Sequence, residues 1–154
     1  MKKNIIFIFI TLIIFTSCDY KPIYNNSELK NIKYEFVEQK GDKQINRLII
    51  NNLKRNQPKK NVETYKIKIE SKFNKIILAK DKFGSPTDYK LLVTSNFMIN
   101  NNEQKLSLEI NEEFIYKNLQ ENYDQSNYEN SIKKNLAEQI SEKLRTKLLT
   151  YWWY

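Results

Sequence analysis

Apolar and polar residues alternate from Ile32 to Val37, placing Ile32, Tyr34 and Phe36 on one side of a strand and Lys33 and Glu35 on the other. Gly41-Asp42 then supplies a turn and an N-cap, and Ile45, Leu48, Ile49 and Leu53 fall on one face of a helix that ends near Asn56, ahead of Pro58. From Thr64 the period returns to two: Tyr65, Ile67, Ile69 and Phe73 face one way, Lys66, Lys68 and Glu70 the other, in a strand reaching toward Leu78. Turn chemistry at Asp81-Lys82-Phe83-Gly84-Ser85-Pro86 precedes a third strand marked by Tyr89, Leu91, Val93, Ser95, Phe97 and Ile99. A reversal at Asn100-Asn101-Asn102 leads to a fourth, in which Leu106, Leu108 and Ile110 alternate with Lys105, Ser107 and Glu109, continuing less cleanly to Phe114 and Tyr116.

The last element is a long helix. Tyr128, Ile132, Leu136, Ile140, Leu144 and Leu148 recur every four residues with Ala137 beside them, while Lys133, Lys134, Glu138, Glu142, Lys143 and Lys147 take the remaining surface. Ser126 is its expected N-cap, with Glu129 closing a capping box. Burying each large side chain of that stripe is worth about 1.5 to 3 kcal/mol, so the stripe belongs against a sheet. The order β-α-β-β-β-α therefore predicts an α+β two-layer sandwich: a four-stranded, mostly antiparallel sheet with both helices on one face. Its other face, carrying Lys66, Lys68, Glu70, Lys90, Thr94, Asn96 and Lys105, is wet or meets a polar partner.

Ahead of this domain, Lys2 and Lys3 precede an apolar run from Ile5 to Phe15 that ends at Thr16-Ser17-Cys18. The run suits the apolar core of an export signal and is shorter than the roughly 20 residues a membrane-spanning helix needs. Small residues directly before Cys18 resemble the site at which lipoprotein signal peptidases cleave, although Phe15 stands where leucine is usual. The expected organisation is a lipoprotein signal peptide over 1–17, a lipidated tether over 18–30 with lipid on Cys18, and a single domain over 31–154.

Composition narrows the chemistry. The chain has no histidine and one cysteine, so Ser-His-Asp, Cys-His and His-based metal arrangements are excluded. Its only glycines, Gly41 and Gly84, form no phosphate-cradling loop. No catalytic residues, metal or cofactor are expected beyond the covalent lipid, and the chain reads as a binding or structural part rather than an enzyme. A net charge of +8 indicates an anionic partner, and for an exported chain that means anionic lipid or a phosphorylated glycolipid more readily than nucleic acid.

Three stretches carry a family resemblance. Cys18-Asp19-Tyr20-Lys21-Pro22-Ile23-Tyr24 is similar to the opening of alphaproteobacterial lipopolysaccharide-assembly lipoproteins, the LptE family, and Ala79 to Tyr89 resembles that family's glycine turn leading into a strand that begins acid-Tyr. The terminal helix from Lys134 to Leu148 is similar as well. The resemblance implies a non-enzymatic lipoprotein of the outer membrane, anchored on its periplasmic side. Such a protein plugs and helps assemble the large β-barrel (LptD-like) that inserts lipopolysaccharide in the outer leaflet, and it binds lipopolysaccharide. The family's basic positions before the glycine and early in the last helix fall on Lys82 and Lys134.

Asp19 departs from the usual glycine, and in enteric bacteria an aspartate there retains a lipoprotein in the inner membrane. The terminal Tyr151-Trp152-Trp153-Tyr154 suits contact with a barrel wall or a membrane interface. Two other readings stay open at this point. One is an accessory lipoprotein of a different envelope assembly, and the other is a basic nucleic-acid-binding module, which the export signal opposes.

Overall fold

A computed structural model describes residues 32–55, 57, 63–101, 104–119 and 122–151. The elements are β1 (Ile32–Gly41), α1 (Lys43–Lys54), β2 (Glu63–Lys80), β3 (Pro86–Asn101), β4 (Gln104–Lys117) and α2 (Asn122–Tyr151). Their order is the expected β-α-β-β-β-α. The sheet runs β1-β2-β3-β4, with β1 parallel to β2 and the other two pairings antiparallel.

The change from β1 to α1 shows how local chemistry sets this topology. Gly41 adopts φ +77°, a region that side chains with a Cβ rarely enter. A Cβ at Gly41 would also lie 2.0 Å from the Ser71 carbonyl oxygen. Asp42 donates its backbone N–H to that oxygen at 2.7 Å, and its carboxylate accepts from the N–H groups of Gln44 and Ile45 at 2.9 Å each. The strand is thereby stopped, turned and capped within two residues.

Both helices lie on one face of the sheet and run parallel to each other. Gln44 of α1 meets Asn130 of α2 near their starts, while the Arg145 guanidinium of α2 donates to the Asn52 carbonyl near the end of α1. Between helices and sheet sit Ile45, Ile49 and Leu53 of α1, Leu136, Ile140, Leu144 and Leu148 of α2, and Ile67, Ile69, Leu91, Val93, Phe97 and Ile99 of the strands, all buried. Ala137 and Ser141 keep the helix contact close: the buried Ser141 hydroxyl donates to Ala137 O at 2.7 Å and lies 3.4 Å from Ile49 O. Ser71 and Ser95, directly paired across β2 and β3, share a buried hydroxyl hydrogen bond of 2.8 Å. Asn46, apolar by neither type nor pattern, is buried because its amide donates to Lys40 O at 2.7 Å and ties α1 to the end of β1.

One expectation is corrected. The final helix begins at Asn122, so Ser126 lies inside it and caps nothing. Asp124 occupies the first turn, where its charge complements the positive helix end. Glu129 closes no capping box and instead reaches across to the sheet.

Candidate functional site

The sheet outgrows its own cover. β1 makes its last pair at Gly41 and Ser71, yet β2 continues to Lys80, and β3 and β4 follow it to Asp88 and Lys117. In this distal half the alternation set up by Tyr65, Ile67 and Ile69 gives way to the consecutive apolar residues Ile76, Ile77 and Leu78. They are 39%, 46% and 46% exposed. Phe114 and Ile115 of β4 are exposed beside them, and Phe83, at the tip of the β2–β3 turn, is 81% exposed. By register, Ile76 and Ile115 flank Lys90 on the outer face.

The turn itself is rigidly built. The Asp81 carboxylate accepts from the N–H groups of Phe83 and Ser85 at 2.8 and 2.9 Å, and Gly84 takes φ +84°. Lys82 sits on it exposed, its ammonium 4.9 Å from the centre of the Phe83 ring.

Where α2 starts, it is latched to the distal sheet through Glu129. One carboxylate oxygen receives Lys75 at 2.6 Å, Gln125 at 3.0 Å and the Tyr116 hydroxyl. Tyr116 stacks on Tyr89 with ring centres 5.5 Å apart and meets Tyr128 edge-on at 5.6 Å, while the Lys75 ammonium lies 4.0 Å over the Tyr89 ring. Burial opposes ionisation of Glu129, but hydrogen bonds from Lys75, Tyr116 and Gln125 outweigh it and hold the carboxyl below its usual range. Burial pushes the Tyr116 phenol up, and its bond to Glu129 adds to that.

Lys134 projects from α2 into solvent, and neither it nor Lys82 nor Lys80 has an ion-pair partner among the described residues. The neighbouring Lys133 lies 4.3 Å over the Phe73 ring, which places Lys134 near the level of Phe73 along β2. At about 3.3 Å per residue, Lys82 is then roughly 25 to 30 Å further toward the tip. The fold therefore does not gather these two lysines into one pocket. They stand at the two ends of an elongated strip of distal β2, along which Ile77 turns to the helix side of the sheet and Ile76 to the outer face. Ile76, Ile77 and Leu78 escaped sequence reasoning, although three adjacent apolar positions in a strand with a helix over one face only are a readable signal of exposed apolar surface. Cys18, the side chain of Tyr151, and Trp152, Trp153 and Tyr154 lie outside the described residues.

No helix among the described residues is long and apolar enough to cross a membrane. No protein-family model matches the chain, and no curated protein does. Solved structures do match in fold. The rare lipoprotein B of Shewanella oneidensis superposes with a TM-score of 0.56 at 12% identity, over 76% of this chain and 96% of that one. A putative lipoprotein of Caulobacter crescentus gives 0.54 at 13% identity, over 80% and 91%. A minor lipoprotein of Acinetobacter baumannii gives 0.51 at 16% identity, over 78% and 95%. The chain thus has the fold found in these lipoproteins, across nearly their whole length.

Proposed function

We propose that this chain is a lipoprotein of the outer membrane, held on its periplasmic side by lipid on Cys18. In this reading it is an assembly and binding part rather than a catalyst. Its domain plugs and helps assemble the β-barrel that delivers lipopolysaccharide to the outer leaflet, and it binds lipopolysaccharide on the way. The observation that carries this reading is the distal end of β2 and its turn, where exposed Ile76, Ile77, Leu78 and Phe83 stand beside Lys80 and Lys82, cations with no ion-pair partner among the described residues. An amphiphile with phosphates on its head group and several acyl chains matches such a surface in both its parts, because ammonium groups pair with phosphate while apolar side chains cover hydrocarbon. The shared fold of the lipoprotein structures supports it, as does the polar outer sheet face, which suits the polar interior of a large barrel. Tyr151, Trp152, Trp153 and Tyr154 are the proposed contacts to barrel wall or membrane.

The test is direct binding of purified lipopolysaccharide to the wild type and to the Lys82→Glu, Lys134→Glu double variant. Because both side chains are exposed and have no ion pair among the described residues, the double variant should melt with the wild type and bind about tenfold or more weakly. Equal binding by the two proteins would remove these lysines from the site. Depletion in cells should leave the barrel immature and lipopolysaccharide off the surface.

A further inference from the structure

The distal part of β2 has an edge that no strand among the described residues pairs with. Once β1 turns away at Gly41, no described element occupies the lane beside Lys72 to Lys80. Ser71 points its carbonyl into that lane, where Asp42 donates to it. By the alternation of a strand, Phe73, Lys75 and Ile77 turn their own N–H and C=O groups the same way, with no described strand to receive them. On the other side β2 is fully laddered to β3, which keeps the edge straight until the register shifts between Ile77 and Ala79.

An edge of this kind is a template for another strand, and proteins usually blunt it. Here Lys72, Lys75 and Lys80 lie along it with no acidic residue between them; Lys72 is 3.9 Å from Glu70, Lys75 is held by Glu129, and Lys80 has no ion-pair partner among the described residues. Two copies of the edge paired with each other would bring these lysines together, and like charges on adjacent strands oppose pairing. Lys72 and Lys80 favour a strand of opposite charge, while exposed Ile76, Ile77 and Leu78 offer apolar contact to its alternate side chains.

We infer that the β2 edge from Lys72 to Lys80 is a docking lane for an extended polypeptide segment that alternates acidic and apolar residues, added as a fifth strand in continuation of β1. Main-chain hydrogen bonds to Phe73, Lys75 and Ile77 would supply the affinity, and the lysines the choice of partner. The lane shares Ile76, Ile77, Leu78 and Lys80 with the surface proposed above for lipopolysaccharide, while Lys82 and Lys134 lie outside it, so variants of those two lysines separate the two readings.

The test uses the full chain in detergent, with a labelled ten-residue peptide alternating Glu and Val, its Lys and Val counterpart, and unstructured polyglutamate. The acidic peptide should bind at least about tenfold more tightly than the basic one. It should slow amide exchange at Phe73, Lys75 and Ile77. Ile77→Pro should abolish binding while melting close to the wild type, since the removed N–H lies outside the β2–β3 ladder. Should that variant fail to fold, Lys72→Glu with Lys80→Glu should reverse the preference between the two peptides. The Lys82→Glu, Lys134→Glu variant should still bind the acidic peptide. The inference is overturned if polyglutamate binds as well as the acidic peptide without amide protection, if vesicles of phosphatidylglycerol protect the same amides and displace it, or if the edge variants abolish a concentration-dependent dimer while leaving peptide binding unchanged.

Discussion

The two halves of the sheet are made of the same three strands but have different surroundings. In the proximal half, β2, β3 and β4 are extended by β1 and roofed by both helices, so every inward side chain from Tyr65 to Ile69 and from Val93 to Ile99 is buried. In the distal half the roof thins to the first turns of α2 and β1 is missing. Ile76, Ile77, Phe114 and Ile115 are left partly in water although their strand geometry is equally regular. Strand pairing and the Glu129 latch with its tyrosine cluster therefore hold the distal half in shape. Helix packing gives the proximal half its stability, and the distal half is free to bind.

If this division holds, truncation should be felt very unequally in the two halves. Leu136→Ala removes a side chain buried in the core and should cost about 2 to 5 kcal/mol. Ile77→Ala, the same loss of apolar bulk on an exposed strand, should stay within about 0.5 kcal/mol. Urea melts of the two variants side by side decide it. A comparable loss in both would mean that the distal strip is covered in the folded protein.

The boundary between the halves is Gly41, and its replacement is the next largest effect. Gly41→Ala forces a side chain into positive φ, at about 1 to 3 kcal/mol, and sets its Cβ against the Ser71 carbonyl. Because that carbonyl receives the Asp42 N–H, the strain should also loosen the capping of α1. Gly84→Ala, at a similar φ but with open space around it, should be milder, and thermal melts of the pair would separate steric contact from backbone strain.

Much of the proximal half is legible in the chain because burial there has a period. Tyr65-Ile67-Ile69 and Leu91-Val93-Ser95-Phe97-Ile99 name their inward face, and Asp42 announces the helix it caps. Polar residues that are buried carry no such signal. Asn46 and Ser141 sit inside because each finds a backbone carbonyl at close range, which only the folded chain reveals. The start of α2 was hidden for a related reason: Ser126 and Glu129 have the spacing of a capping box, but Glu129 is claimed by Lys75 and Tyr116, far away in sequence. The candidate site was legible as residues and not as a place. Lys82 and Lys134 could be named, while their separation along the strip follows from how far β2 outruns β1.

Glu129 joins the two halves, and altering it gives the smallest and most specific effect. Its carboxyl is held below the ordinary glutamate value, so the ionised form is the one the fold favours. The sign follows: this stabilisation is fully present above the unfolded glutamate pKa of about 4.5 and is lost as pH falls through the lower folded value. Glu129→Gln keeps a side chain of the same length able to accept from Tyr116 and Gln125, but it removes the charge facing Lys75, at about 0.5 to 1.5 kcal/mol near neutral pH. Amide exchange in the first turns of α2 should rise in the variant at pH 7 and change little on acidification. In the wild type it should rise as pH drops below about 4.5, with the Ile140 to Leu148 turns unaffected in both. If exchange rose equally along the whole of α2, the helix would be responding as one unit, and the latch would belong to the proximal core rather than join it to the distal sheet.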